Sequence, residues 1–220
     1  MTIMLCLRGE RRITHYSSSH QILLVGEGDF SFSACLAKAF RSATNMVSTS
    51  LDSRKMLLFK HPTARENLDV LESLGGAIVH GMDSHTMVQH PFLKDRKFDR
   101  IVFNFPHAGL IYPSECAQDQ IKLHQGVVKG FFTNARDMLT EKGEVHVTHK
   151  TTHPYNKWEV EKLAEEEGLC LVEEVGFSKK NYPGYHNKRG YGRKSNRTFR
   201  VGMCSTFKFS LSKSTKQSDI

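Results

Sequence analysis

The residues with the clearest chemical content are Gly26, Glu27, Gly28, Asp29, Phe30 and Ser31, which follow the aliphatic stretch QILLV at 21–25. A glycine turn after an apolar strand lets the backbone approach a ligand closely, and in dinucleotide-binding sheets the helix that follows holds a pyrophosphate. Here two carboxylates stand where phosphates would sit and oppose them, and the third small position of the G-x-G-x-x-G pattern is taken by Ser31. The same acids attract a cation. S-adenosylmethionine, with a sulfonium, an α-ammonium and no phosphate, matches that charge. Asp52 ends the second apolar stretch, 24 residues beyond Gly28, where an acid accepts the ribose hydroxyls of a nucleoside. Asp83 ends the third and is placed to accept from an adenine amino group. Either aspartate alone reads equally as a turn former; the three elements in this order read as a nucleoside site.

A second group, NFPH at 104–107, follows the fourth apolar stretch. Asn104 and the neighbouring carbonyls can accept hydrogen bonds from a planar nitrogen substrate while an aromatic ring stacks on it; a strand ended by Pro106 is the plainer reading. His107 is a candidate general base, because a neutral imidazole takes a proton near neutral pH, and it reads equally as a solvent-facing loop histidine. His149 and Lys150, at the end of the fifth strand, are second choices for that chemistry.

The third group is basic. The chain carries a formal charge of +8, and eight cations fall between residues 179 and 200 with no Asp or Glu among them; elsewhere basic and acidic residues balance. This segment interleaves Lys179, Lys180, Lys188, Arg189, Arg193 and Lys194 with Tyr182, Tyr185 and Tyr191. Cations track phosphates and rings stack on unpaired bases, so the segment is a candidate RNA contact, with a solvated charged loop as the plainer alternative. His146 and His149 lack convincing metal-ligand partners, and the five cysteines form no C-x-x-C pair, which argues against a zinc ribbon or a disulfide framework. No metal is expected.

These groups need a scaffold that gathers them. Short apolar runs at 21–25, 45–51, 77–80 and 98–103 alternate with helical patterns, one with Phe32, Leu36 and Phe40 on a stripe and one opened by Pro62 with Leu68, Leu71 and Leu74 on a face. Such alternation predicts a parallel sheet with helical crossovers. Ile121, Val128, Phe131, Ala135 and Met138 mark a long helix; GEVHVTHKT is a fifth strand; Asn156 and Glu159 form a capping-box pattern that opens a further helix through Trp158; 169–175 and 198–209 are late strands. The chain divides into an N-terminal extension 1–16, one domain 17–209 carrying the basic loop 178–200, and a frayed tail 210–220. No run approaches the roughly 20 apolar residues needed to span a bilayer, and MTIMLCLRGERR does not have the order of a secretory signal.

With LLVGEGDFSFS, TSLDS, FDRIVFNFPHAG and GEVHVTHKT, the chain resembles, from about residue 17 to 207, the Rossmann-like methyltransferases typified by the fungal large-subunit ribosomal RNA uracil-N3 methyltransferase, and particularly their short plant members. The resemblance implies an α/β class I methyltransferase fold with a mostly parallel sheet of six to seven strands. It implies methyl transfer from S-adenosylmethionine to N3 of a uracil in ribosomal RNA or the pre-ribosome, by a monomer in the nucleolus or nucleus, with the cytoplasm as the other compartment considered. By motif, residues 26–30 match the donor loop, Asp52 the ribose acid and 104–107 the substrate-facing motif. Competing readings are a non-catalytic RNA-binding protein of the same fold, a nicotinamide-dependent oxidoreductase, which Glu27, Asp29 and Ser31 oppose, and an aminopropyl transferase, whose polyamine the basic segment would repel.

Overall fold

The computed structural model describes residues 9–212. The start of the chain through Arg8 and all but the first residue of the SKSTKQSDI tail lie outside the described residues. A seven-stranded sheet forms the centre, in the order β5 (Ala77–His80), β4 (Met46–Ser50), β3 (Ile22–Val25), β6 (Phe98–Asn104), β7 (Leu139–Lys150), β9 (Cys204–Leu211) and β8 (Leu169–Gly176). The first five are mutually parallel, and β9 runs antiparallel to both its neighbours.

β3 shows why ILLV becomes a central strand. Its side chains alternate between two helix-covered faces: Leu23 and Val25 enter one core with Ile101, Phe131, Phe132 and Val145, while Ile22 and Leu24 enter the other with Leu36, Phe40, Leu68 and Leu71. Helices α1 (Ser31–Phe40) and α3 (Ala64–Ser73) supply the second core, and α4 (Gln118–Arg136) and α5 (Val160–Glu166) the first.

The turn after β3 depends on Gly26. Its φ is +67°, and a Cβ there would run into the ring of Phe103 on the neighbouring strand. Gly26→Ala is expected to lower the unfolding free energy by about 1–3 kcal/mol, seen as a lower urea midpoint at unchanged slope.

Several expectations are corrected here. A hairpin of β1 (Arg12–Ile13) and β2 (Tyr16–Ser17) crosses the boundary drawn between 16 and 17, and Tyr16 is buried against Phe32. An unanticipated helix, α2 (Arg54–Lys60), begins where Ser53 Oγ accepts the Met56 N–H. Pro62 lies ahead of the α3 N-cap, Thr63, and so outside the helix. Asn156 and Trp158 belong to a 3-10 turn that ends at Glu159 with φ 51°, so α5 starts at Val160 without a side-chain cap. The last strand starts at Cys204 because 198–199 pair with their own loop: Thr198 bridges Lys188 and the Phe199 N–H donates to the Asn187 carbonyl.

Candidate active site

The carboxyl ends of β3 and β6, adjacent in the sheet, open a cavity of about 260 Å³. The chain crosses from β3 towards β4 on one side and later returns to lay β6 on the other, so this is the crevice at which doubly wound sheets bind ligands. The turn after β3 forms one wall and the end of β6 another; the basic segment closes a third.

Glu27 and Asp29 both line the cavity and both are buried. Each gives one oxygen to the first turn of α1: Glu27 Oε2 accepts the Ser33 N–H at 3.1 Å, and Asp29 Oδ1 accepts the Ser31 N–H at 3.1 Å. The positive end of that helix thus supports the two acids. Asp29 Oδ2 is buried without a hydrogen-bond partner. Burial pushes the Glu27 carboxyl up to about 7. Two adjacent buried acids with unspent acceptor capacity fit a cation and disfavour a phosphate.

Asp52 also lines the cavity, and Lys60 Nζ holds both its oxygens at 2.7 and 3.0 Å. The acid expected to meet a ribose is thus already oriented from α2. Three expected cofactor residues are placed elsewhere. Phe30 is the αL N-cap of α1 and its ring is fully buried in the core. Ser31 Oγ accepts the His186 N–H at 2.8 Å and so pins the basic segment to the fold. Asp83 closes a turn by accepting the His85 N–H, and its side chain is absent from the cavity wall; the turn-former reading holds for it.

On the opposite wall, the Asn104 amide is buried with neither Oδ1 nor Nδ2 hydrogen-bonded. The next residue, Phe105, sits at φ 51°, a left-handed conformation that costs a bulky residue of order 1–3 kcal/mol. His107 lines the cavity but is fully engaged: Nδ1 accepts the Gly109 N–H at 2.9 Å, which leaves the ring proton on Nε2, 3.0 Å from Glu115 Oε1. A ring with no free lone pair cannot serve as a general base, which corrects that assignment. His149 is set apart differently, because it does not line this cavity. It is buried, its Nε2–H donates to the Tyr155 carbonyl at 3.0 Å, and burial depresses its pKa to about 4. Lys150 lies over the rings of Tyr155 and Phe199.

Sequence reasoning missed the clamp behind His107. Gln120 Oε1 accepts the N–H groups of Ile111 and Tyr112 and its Nε2 donates to the Gly109 carbonyl, while His124 Nδ1 accepts the Ala108 N–H. The i, i+4 spacing of Gln120 and His124 was the available signal, since it places two polar side chains on one helix face. His107, Glu115 and His124 form, among the described residues, one group able to surround a metal ion. In this structure the three side chains are hydrogen-bonded to one another. A histidine that ligates through Nε2 donates its other ring N–H to an acceptor, whereas both Nδ1 atoms here accept backbone N–H groups and both Nε2–H groups face Glu115. The two bonds hold the Glu115 carboxyl down at about 2.

The basic segment divides in two. Tyr182 is buried, stacked on Phe177 with its hydroxyl on Thr14, and so is a core residue unavailable to a base. Tyr185 packs edge-on against Phe32, and Lys179 Nζ is held by Asn187 Oδ1. Lys188 faces the cavity. Lys180, Arg189, Arg193 and Lys194 are exposed, as is Tyr191, which also packs over Gly109 of the substrate-facing loop.

A doubly wound sheet with this strand order and a cation-seeking acidic turn at its switch point defines a class I methyltransferase, and its cofactor is S-adenosylmethionine. The solved structures agree in fold: a Streptomyces caelestis methyltransferase, CcbJ, aligns with TM-score 0.51 at 12% identity over 89% of this chain and 84% of its own. An S-adenosylmethionine-dependent methyltransferase from Clostridium acetobutylicum aligns with TM-score 0.50 at 12% identity over 87% and 83%. The chain belongs to the family described as rRNA (uridine-N3-)-methyltransferase BTM5-like, whose profile matches residues 23–189. It is 49% identical over 205 residues to Heavy metal-associated isoprenylated plant protein 41 of Arabidopsis thaliana, covering 93% of this chain but 40% of that protein. It is equally similar to an uncharacterized Arabidopsis thaliana protein of which it covers 98%. The 25S rRNA (uridine(2634)-N(3))-methyltransferase of Saccharomyces cerevisiae is 25% identical over 231 residues, 81% of this chain and 68% of the yeast protein.

Proposed function

We propose that this chain methylates N3 of a uracil in large-subunit ribosomal RNA. The observation that carries the reading is the Asn104 amide: two buried, unpartnered polar atoms at the end of β6, in a residue that lines the same cavity as the acidic turn. Uracil presents N3–H between two carbonyls. As N3 loses its proton, negative charge spreads onto those oxygens, so a donor aimed at one of them binds the transition state more tightly than the ground state. Asn104 Nδ2 supplies that donor. S-adenosylmethionine, when bound, supplies an electrophilic methyl group.

The chain's remaining task is positioning. Gln120 and His124 grip the backbone at 108–112, and His124 fixes His107 through the Glu115 carboxylate they share. With both nitrogens of His107 occupied, the N3 proton leaves to water. The exposed cations Lys180, Arg189, Arg193 and Lys194 take the phosphates flanking a base flipped from its stack, and Tyr191, beside Gly109, offers that base a ring. The reading has the chain working as a monomer, without a metal, in the nucleolus.

The test is direct. Purified chain with labelled S-adenosylmethionine and large-subunit RNA from cells lacking the protein should yield N3-methyluridine on digestion to nucleosides. Label in another nucleoside, or none, would refute the assignment.

A further inference from the structure

Lys188 differs from the exposed cations of its segment: its side chain is only 11% exposed. The backbone explains this. Lys188 bridges Thr198, its Nζ donates to the Asn196 carbonyl at 3.0 Å, and the preceding His186 is pinned to Ser31. The side chain therefore runs over the glycine turn, its Cβ 3.4 Å from where a Cβ on Gly28 would lie. Nζ stops 3.8 Å from Asp29 Oδ2, beyond hydrogen-bond length, and that oxygen is buried with no hydrogen-bond partner. The ammonium has three donors and one carbonyl to receive them. Both groups face the cavity.

A buried ion pair too long for a hydrogen bond is matched to a zwitterion, whose own anion and cation each complete one of the two groups. The methionine end of the methyl donor is such a group. We propose that Lys188 binds the α-carboxylate of S-adenosylmethionine while Asp29 takes its α-ammonium, so that this lysine is a donor-selecting residue and not an RNA contact. The inference rests on the cavity being the donor site. It also assigns the site a preference that the acids alone would not give: a decarboxylated donor would satisfy Asp29 and leave the buried Lys188 ammonium with the Asn196 carbonyl but no carboxylate for its remaining donors, a cost that discriminates between ligands.

Calorimetry on the full chain separates the possibilities, with S-adenosylhomocysteine and its decarboxylated analogue as probes. The wild-type protein should bind the carboxylate form roughly ten- to a hundredfold more tightly, the range expected for a hydrogen bond between charged groups. Lys188→Met should lose that factor for S-adenosylhomocysteine and change the analogue's affinity by less than about threefold, with Lys188→Arg restoring part of the loss. Equal losses for both ligands, or none, would overturn the proposal. If Lys188→Met fails to fold, the wild-type preference alone decides, and its absence refutes the role. A wild-type chain that binds neither probe would instead remove the donor site itself.

Discussion

Asn104→Ala is expected to reduce the methyl-transfer rate constant by roughly 10²–10³-fold, the usual cost of removing one oriented donor to developing charge, while donor affinity stays within about twofold. The same substitution should raise stability. Both amide atoms are buried without partners in the folded chain, and a buried unsatisfied polar group costs about 1–3 kcal/mol. A polar side chain kept at such a cost at the end of a core strand is explained by a ligand that satisfies it. Rapid-quench single-turnover assays and urea unfolding measure the two effects. A variant that is slower and also less stable would make Asn104 a structural residue, and one with wild-type turnover would leave the substrate edge to be read elsewhere.

Donor binding should depend on pH through Glu27. Burial raises this carboxyl from 4.5 to about 7, so the unliganded fold favours its neutral form. The sign follows from linkage: its contribution to stability is fully present below the unfolded value and is lost as pH rises from about 4.5 through 7. A cationic ligand beside Glu27 reverses the preference by favouring the ionised form. S-adenosylhomocysteine, which keeps the α-ammonium, should therefore bind most tightly above pH 7 and weaken by up to tenfold for each pH unit below it, about 1.4 kcal/mol per unit, with proton release detectable in buffers of different ionisation enthalpy. Glu27→Gln should bind with little pH dependence over the same range. A wild-type affinity that is flat between pH 5.5 and 7.5, or a slope that survives in Glu27→Gln, would exclude the carboxyl as the titrating group.

The corrections share a physical origin. Asp83 and Asp52 look alike in the sequence, each an aspartate after a short apolar stretch. They part only because α2 brings Lys60 against Asp52 at the cavity, whereas Asp83 finds a backbone N–H two residues on. Tyr182 and Tyr191 occur in one basic, glycine-rich run, yet the hairpin Thr14 and Phe177 bury the first, and the second remains in solvent above Gly109. His107 has the residue type of a general base. Its neighbours Gly109 and Glu115 consume both nitrogens, through one contact two residues away and another eight residues away.

The chain order of the seven sheet strands, the acidic glycine turn after the first of them and Asn104 at the end of the fourth apolar stretch are local properties, set by side-chain period, backbone freedom and charge within a few residues, and the sequence determined them unaided. Which of those residues face one cavity, which lysine stands opposite Asp29 and which tyrosines are left to solvent depend on contacts between segments far apart in the chain. Lys188 and Asp29 are separated by more than half the polypeptide and meet 3.8 Å apart. No periodicity encodes that meeting. It exists because the sheet sets β3 beside β6 and the loop ahead of β9 folds back over the crevice between them.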